Sequence, residues 1–244
     1  NSLKTSTKHL IEELKHENVE SFQVPGFENA VQLEEKKNVF LTSAFKDGFF
    51  EVQDAGSQKI GEFLDVKPGM RVVDACAGAG GKTLHLAALM ENKGQIIAMD
   101  IHGWKLAELK RRAKRAGAHN IETREITDNK VIKRLHEKAD RLLIDAPCSG
   151  LGVLKRNPDS KWKIDQDFID RIRKEQETIL QDYSKIIKKG GKMVYATCSI
   201  LPSENNEQVE NFLKNNPDFK LVKEEKVMPS TGFDGFYMAL IERV

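Results

Sequence analysis

From residue 71 onward the chain alternates short apolar runs with helix-period stripes, and this alternation restricts the fold more than any other feature. Strand-like runs fall at 71–75, 95–99, 121–125, 141–144 and 193–196, with weaker ones at 219–222 and 236–241. Between them, Leu106, Leu109, Ala113 and Ala116 form one helical stripe, closed by Gly117. A second stripe, Ile164, Phe168, Ile172, Ile179, Tyr183 and Ile186/Ile187, is expected to end at Gly190-Gly191. Such alternation predicts an α/β fold with a mostly parallel, doubly wound sheet. All its parallel strands would open their carboxyl ends on one edge, where ligands bind.

A chain of 244 residues suits one large domain, or one domain with a small appendage. Residues 1–50 read as a separate small α+β segment. They offer a helix over 5–15, strand candidates at 30–33 and 39–41, and too little apolar content for a core of their own. Residues 51–244 form the main domain, opening with a helical pattern over 51–64 that Pro68-Gly69 ends. The three cysteines, Cys76, Cys148 and Cys198, are odd in number and without CxxC spacing. That argues against a disulfide framework or a metal site and for a reducing, cytoplasmic setting. No apolar run reaches membrane-spanning length and no signal-peptide pattern opens the chain.

The run Val72-Val73-Asp74-Ala75-Cys76-Ala77-Gly78-Ala79-Gly80-Gly81-Lys82-Thr83 leaves a strand and enters a helix. Glycines there let a ligand approach the backbone, and a helix N-terminus offers free N–H groups. A phosphate loop would need glycine at Cys76, and a dinucleotide fingerprint would need glycine or alanine at Thr83. Both patterns fail by one position. Asp74 would repel a pyrophosphate yet suit a cation, while Asp100 ends the next strand where an acid binds a ribose. Ribose without pyrophosphate points to S-adenosylmethionine.

Asp145-Ala146-Pro147-Cys148-Ser149-Gly150 follows the run Leu142-Leu143-Ile144, and Tyr195-Ala196-Thr197-Cys198-Ser199 ends another buried strand. In the strand order usual for methyltransferases, 3-2-1-4-5-7-6, strands one, four and five are neighbours. The glycine loop and both cysteines would then share one crevice. A lone cysteine is more often a small buried residue than a reactive one, but two at one functional edge favour reactivity.

Together, the glycine loop, Asp145-Ala146-Pro147-Cys148-Ser149-Gly150 and Ala196-Thr197-Cys198-Ser199 resemble RNA (cytosine-5)-methyltransferases of the Sun/Fmu type, the bacterial 16S rRNA enzymes. Gln53-Asp54, Arg156-Asn157-Pro158-Asp159 with Trp162, and Asp234-Gly235-Phe236-Tyr237 also look like family blocks. The resemblance implies a Rossmann-like S-adenosylmethionine-dependent methyltransferase fold of seven strands. It implies methylation of carbon 5 of cytosine in RNA, rRNA before tRNA, by a monomer without metal. Cys198 would be the nucleophile, Cys148 would assist product release, and Asp145 would hold the base. The cofactor would lie on Cys76, Ala77, Gly78, Ala79, Gly80, Gly81 and Lys82, with Asp100 at the ribose, Asp128 at the adenine and Asp145 near the methionine end. Asp128 reads equally well as a capping residue. An RNA-binding assembly factor without turnover would have no need of the cysteines and Asp145.

Residues 1–68 hold 8 basic and 12 acidic residues, a net of −4, whereas residues 101–175 hold 19 and 12, a net of +7. A polyanion such as RNA therefore has a landing zone near Cys148, although charge runs are commonly solvated faces. Lys155, Arg156, Lys161, Lys163 and Trp162 fit an RNA-facing loop, Trp162 as a stacking platform or else a core residue. Lys110-Arg111-Arg112-Ala113-Lys114-Arg115 reads as a solvated helix face. Many relatives carry Ala-Pro where this chain has Gly78-Ala79, and the family extends upstream of residue 1. Residues 1–50 are accordingly expected to be part of a truncated RNA-binding subdomain.

Overall fold

The computed structural model describes residues 1–244, the side chain of Thr231 excepted. In chain order the elements are α1 (Thr7–His16), β1 (Ser21–Gln23), β2 (Val31–Leu33), α2 (Ser43–Lys46), α3 (Ala55–Phe63), β3 (Arg71–Asp74), α4 (Gly81–Leu89), β4 (Gln95–Asp100), α5 (Gly103–Ala116), β5 (Ile121–Glu125), α6 (Asn129–Lys133), β6 (Ala139–Asp145), α7 (Gln166–Tyr183), β7 (Ile187–Thr197), α8 (Asn206–Asn215), β8 (Phe219–Val227) and β9 (Phe236–Arg243). Seven strands form one sheet in the order β5-β4-β3-β6-β7-β9-β8. Strands β3 to β7 run parallel, and β9 is antiparallel to both its neighbours.

Successive strand residues point to opposite faces, so the apolar runs feed two cores. Val72, Ile96, Leu143 and Val194 pack with Ile60, Leu84 and Leu109 from α3, α4 and α5. Val73, Ile97, Leu142 and Met193 pack with Leu180 and Phe212 from α7 and α8. Both edges are charged. β8 exposes Lys220, Lys223, Glu224, Glu225 and Lys226, while β5 reads Ile-Glu-Thr-Arg-Glu. Charged edges discourage pairing with another sheet.

Three local expectations are corrected. Val39–Leu41 is a 3-10 turn, and β2 pairs instead with β1. Gly190-Gly191 does not end a helix. The helix stops at Tyr183, and the glycine pair lies inside β7, where the register with β6 shifts between Ala139 and Arg141. A Cβ on Gly191 would stand 2.9 Å from the Lys188 carbonyl oxygen, so the pair makes a bulge there. The first turn of the predicted 51–64 helix is also missing, because Asp54 caps α3 by accepting the Gly56 N–H at 2.8 Å.

Residues 1–50 gather Leu10, Leu14, Val19, Val39 and Ala44 into a small apolar cluster. Polar contacts tie this segment to α5. Asn1 Nδ2 donates to the carbonyls of Gly48 and Ala116, and Glu51 pairs with Arg112 at 3.0 Å and Arg115 at 2.5 Å. The run 110–115 is therefore not simply a solvated face. Arg112 and Arg115 turn inward because a carboxylate waits there.

Candidate active site

Strands β3, β6 and β7 are adjacent, so their carboxyl ends bring together the glycine loop, the Pro-Cys turn and the Thr-Cys turn. Asp145 stands opposite Ala196 across the ladder. Two and three residues further on, Cys198 Sγ and Cys148 Sγ lie 3.2 Å apart, and both residues are part-exposed. Lys82, in the first turn of α4, donates to Asp145 Oδ2 at 2.6 Å. Burial lowers the Lys82 ammonium, but the Asp145 carboxylate outweighs it and leaves the pKa above the usual lysine value. The thiols separate. Cys198, accepting from Cys148 and helped by Lys82 against burial and Asp145, falls below the ordinary thiol value. Cys148, as donor to Cys198 and through burial, rises well above it. Of the two, Cys198 is the thiol that gives up its proton more readily.

The support beneath the thiols was not legible as a site. Glu204, fully buried, accepts from the Ser149 N–H at 2.8 Å, the Ser199 hydroxyl at 2.7 Å and Gln176 Nε2 at 3.0 Å. Gln176 also donates to the Pro147 carbonyl at 2.9 Å. The residues that follow the two cysteines are therefore fastened to one carboxylate. Gly152 closes the floor, its N–H donating to the Cys198 carbonyl at 2.8 Å and its carbonyl accepting from Gly235 at 2.8 Å. A Cβ on Gly152 would come within 2.2 Å of the Gly235 oxygen.

At the ends of β3 and β6 is a cavity of about 130 Å³, lined by Gln53, Ser57, Asp74, Cys76, Ala77, Gly81, Lys82 and Asp145. Asp74 is buried, with Oδ2 accepting from Thr83 Oγ1 at 2.7 Å while Oδ1 lacks a partner among the described residues. Burial pushes its carboxyl up to about 7. A cationic group in this cavity would satisfy the orphaned oxygen. Gly78, at φ +54°, and Gly81 face open space where a side chain would intrude. Gly80 is needed for another reason, since a Cβ there would lie 2.4 Å from Leu109 Cγ. Ala79 is tied to α5 through its carbonyl, which accepts from Arg112 Nη1 at 2.8 Å. Asp100 ends β4 and accepts from the N–H groups of Gly78 at 2.9 Å and His102 at 2.8 Å. Asp74 and Asp100 are acceptors, and as a pair they fit a ligand with an ammonium group at one end and a diol at the other. A larger apolar cavity, about 470 Å³, lies between residues 1–53 and α4 and shares Gln53 and Gly81 with the smaller one, but it lacks the acids Asp74 and Asp145.

The outer predicted residues divide. Asp128 is exposed and caps α6, accepting the Lys130 N–H at 2.7 Å. Trp162 is 79% exposed, which removes the core reading, and Lys161 Nζ stands 4.8 Å from its ring centre. Lys155 is exposed on the same loop. Arg156 is already engaged, its Nε donating to the buried Asp234 at 2.6 Å. The other tryptophan, Trp104 at the start of α5, is also largely exposed, beyond Asp100.

A parallel sheet completed by an antiparallel strand, with acids at the ends of β3 and β4, defines a Rossmann-like methyltransferase fold. The methyltransferase homologue from Pyrococcus horikoshii superposes with a TM-score of 0.86 at 28% identity, covering 100% of this chain and 84% of that one. PH0851 superposes with a TM-score of 0.95 at 33% identity, covering 99% and 58% respectively. Residues 62–241 match the family described as 16S rRNA methyltransferase RsmB/F, and the chain belongs to that family. It is similar to ribosomal RNA small subunit methyltransferase B of Proteus mirabilis, 34% identical over 100% of this chain and 58% of the relative. The corresponding protein of Klebsiella pneumoniae is 36% identical over 94% and 55%. The chain spans only about half the length of these curated relatives.

Proposed function

We propose that this chain methylates carbon 5 of cytosine in RNA, small-subunit rRNA first, using S-adenosylmethionine. The observation that carries the reading is the thiol pair, 3.2 Å apart at the sheet edge, with the Cys198 thiol below and the Cys148 thiol above the ordinary value. Carbon 5 of cytosine is a poor nucleophile. Addition of the Cys198 thiolate at carbon 6 makes it an enamine carbon, and covalent catalysis divides one hard step into two. Asp145, fixed by Lys82, holds a proton at ring nitrogen 3 and disperses the charge that develops. Once Cys148 has given its own proton to solvent, its sulfur accepts the carbon-5 proton, after which the bond to Cys198 breaks and methylated RNA leaves.

Asp74, Asp100 and the backbone of Cys76 to Gly81 would hold the cofactor, Asp74 its ammonium and Asp100 its ribose. When bound there, S-adenosylmethionine supplies an electrophilic methyl group. Lys155, Lys161 and Trp162 extend the site towards the RNA, with phosphate contacts that weaken as salt rises.

The test is a denaturing gel of protein incubated with small-subunit rRNA and S-adenosylmethionine. Cys148→Ala should run as a covalent RNA adduct, and the adduct should vanish when Cys198→Ser is added. An adduct that survives the second change would place the nucleophile elsewhere. Bisulfite sequencing in a deletion strain then names the modified base and separates rRNA from tRNA.

A further inference from the structure

We propose that Cys198 and Cys148 form an oxidation site, in which a hydroperoxide oxidises Cys198 and Cys148 closes the product to an intramolecular disulfide. Three observations converge. The sulfurs are 3.2 Å apart, and a disulfide of about 2.05 Å needs them to close by only about 1 Å. The backbones are held side by side, with Asp145 and Ala196 in register on neighbouring strands about 4.8 Å apart. Beyond the cysteines, Ser149 Oγ and Ser199 Oγ hydrogen-bond at 3.1 Å, and Glu204 grips both turns. Cys-to-Cys geometry is thus imposed from before and after the pair. Neither cysteine residue is fully buried, which leaves the pair a route to a small oxidant.

The roles are unequal, as oxidation with resolution requires. The Cys198 sulfur, favoured as thiolate, attacks one peroxide oxygen. The O–O bond breaks, Cys198 becomes a sulfenic acid and hydroxide leaves to take up a proton. The Cys148 sulfur then attacks the Cys198 sulfur and gives up its proton, the S–O bond breaks, and water departs. In sum, two thiols and one hydrogen peroxide yield a disulfide and two waters. Cys76 stays out, its thiol driven well up, chiefly by burial. Loss of methyl transfer on oxidation would follow from the proposed function, whereas the oxidation itself does not depend on it.

The experiment treats the folded protein with hydrogen peroxide and reads intact mass, then maps tryptic peptides without reduction. The three cysteines fall in separate peptides, 72–82, 142–155 and 193–214. Wild type should lose about 2 Da, matching two hydrogens, with 142–155 linked to 193–214 and 72–82 free. Dithiothreitol should restore the mass. Cys76→Ser should lose the same 2 Da, and Cys148→Ser should instead yield a Cys198 sulfenic acid that dimedone captures. Over-oxidation of Cys198 at equal rates in wild type and Cys148→Ser, or a link through peptide 72–82, would overturn the proposal.

Discussion

Glu204 accepts the Ser149 backbone N–H at 2.8 Å, although 55 residues separate the two in sequence. This bond, with the one from Ser199, makes the two cysteine turns a single unit. Removing a buried acceptor leaves several donors unsatisfied, at about 1–3 kcal/mol for each. Glu204→Ala should lower the urea midpoint accordingly. Glu204→Gln, which keeps an acceptor oxygen, should recover most of the stability while kcat stays at least about tenfold low, with KM for RNA little changed. Equal kcat in Glu204→Gln and wild type would reduce Glu204 to a packing role.

Asp74 gives the site a pH signature. Its folded pKa, about 7, lies above the unfolded carboxylate value of 3.8. The folded state therefore holds the proton more tightly, and this group's contribution to stability declines as pH rises from about 4 to about 7. Asp74→Asn should remove that loss and stabilise the ligand-free protein at pH 8 by on the order of 2–4 kcal/mol. The same change should weaken S-adenosylmethionine binding at least about tenfold by calorimetry. A variant that is no more stable at pH 8 than wild type would contradict the buried-charge assignment.

Lys82 helps to hold Cys198 below the ordinary thiol range. Replacement by Met removes that cation and leaves Asp145 without its partner, so the Cys198 thiol should rise. Iodoacetamide alkylation of Cys198, followed by mass spectrometry against pH, should show its midpoint moved upward. An unmoved midpoint would assign the lowering to Cys148 alone.

Glu51 is the one carboxylate between Arg112 and Arg115 among the described contacts. Glu51→Ala strands two part-buried guanidinium groups and should cost about 2–4 kcal/mol of stability. Hydrogen exchange should show α1 and the β1–β2 hairpin losing protection before the main sheet does. Uniform loss across both would mean that the N-terminal segment unfolds only with the rest.

The parallel sheet was legible because uninterrupted apolar runs, such as Ile96 to Met99 in β4, leave few alternatives. The cysteines were legible as residue types at strand ends, but their separation depends on the register of Asp145 against Ala196, which no local pattern encodes. Glu204 was missed because Pro202-Ser203-Glu204-Asn205 has the composition of a surface turn. Only the fold shows three donors converging on it. Arg112 and Arg115 were misread for a related reason, their partner being more than 60 residues away. Gly190-Gly191 signals a break in either a helix or a strand, and the chain uses it as a bulge.

β7, the strand that carries Cys198 at its end, has β6 on one side and β9 on the other, with Thr197 paired to Tyr237. The chain is made from its amino end, so β7 leaves the ribosome with one flank open. That flank stays open until residues 236–243 have been synthesised. Most of the sheet can therefore assemble while translation proceeds, but the seating of the thiol pair waits for β9. A ribosome stalled before residue 236 would display the glycine loop and both cysteines without a finished active site.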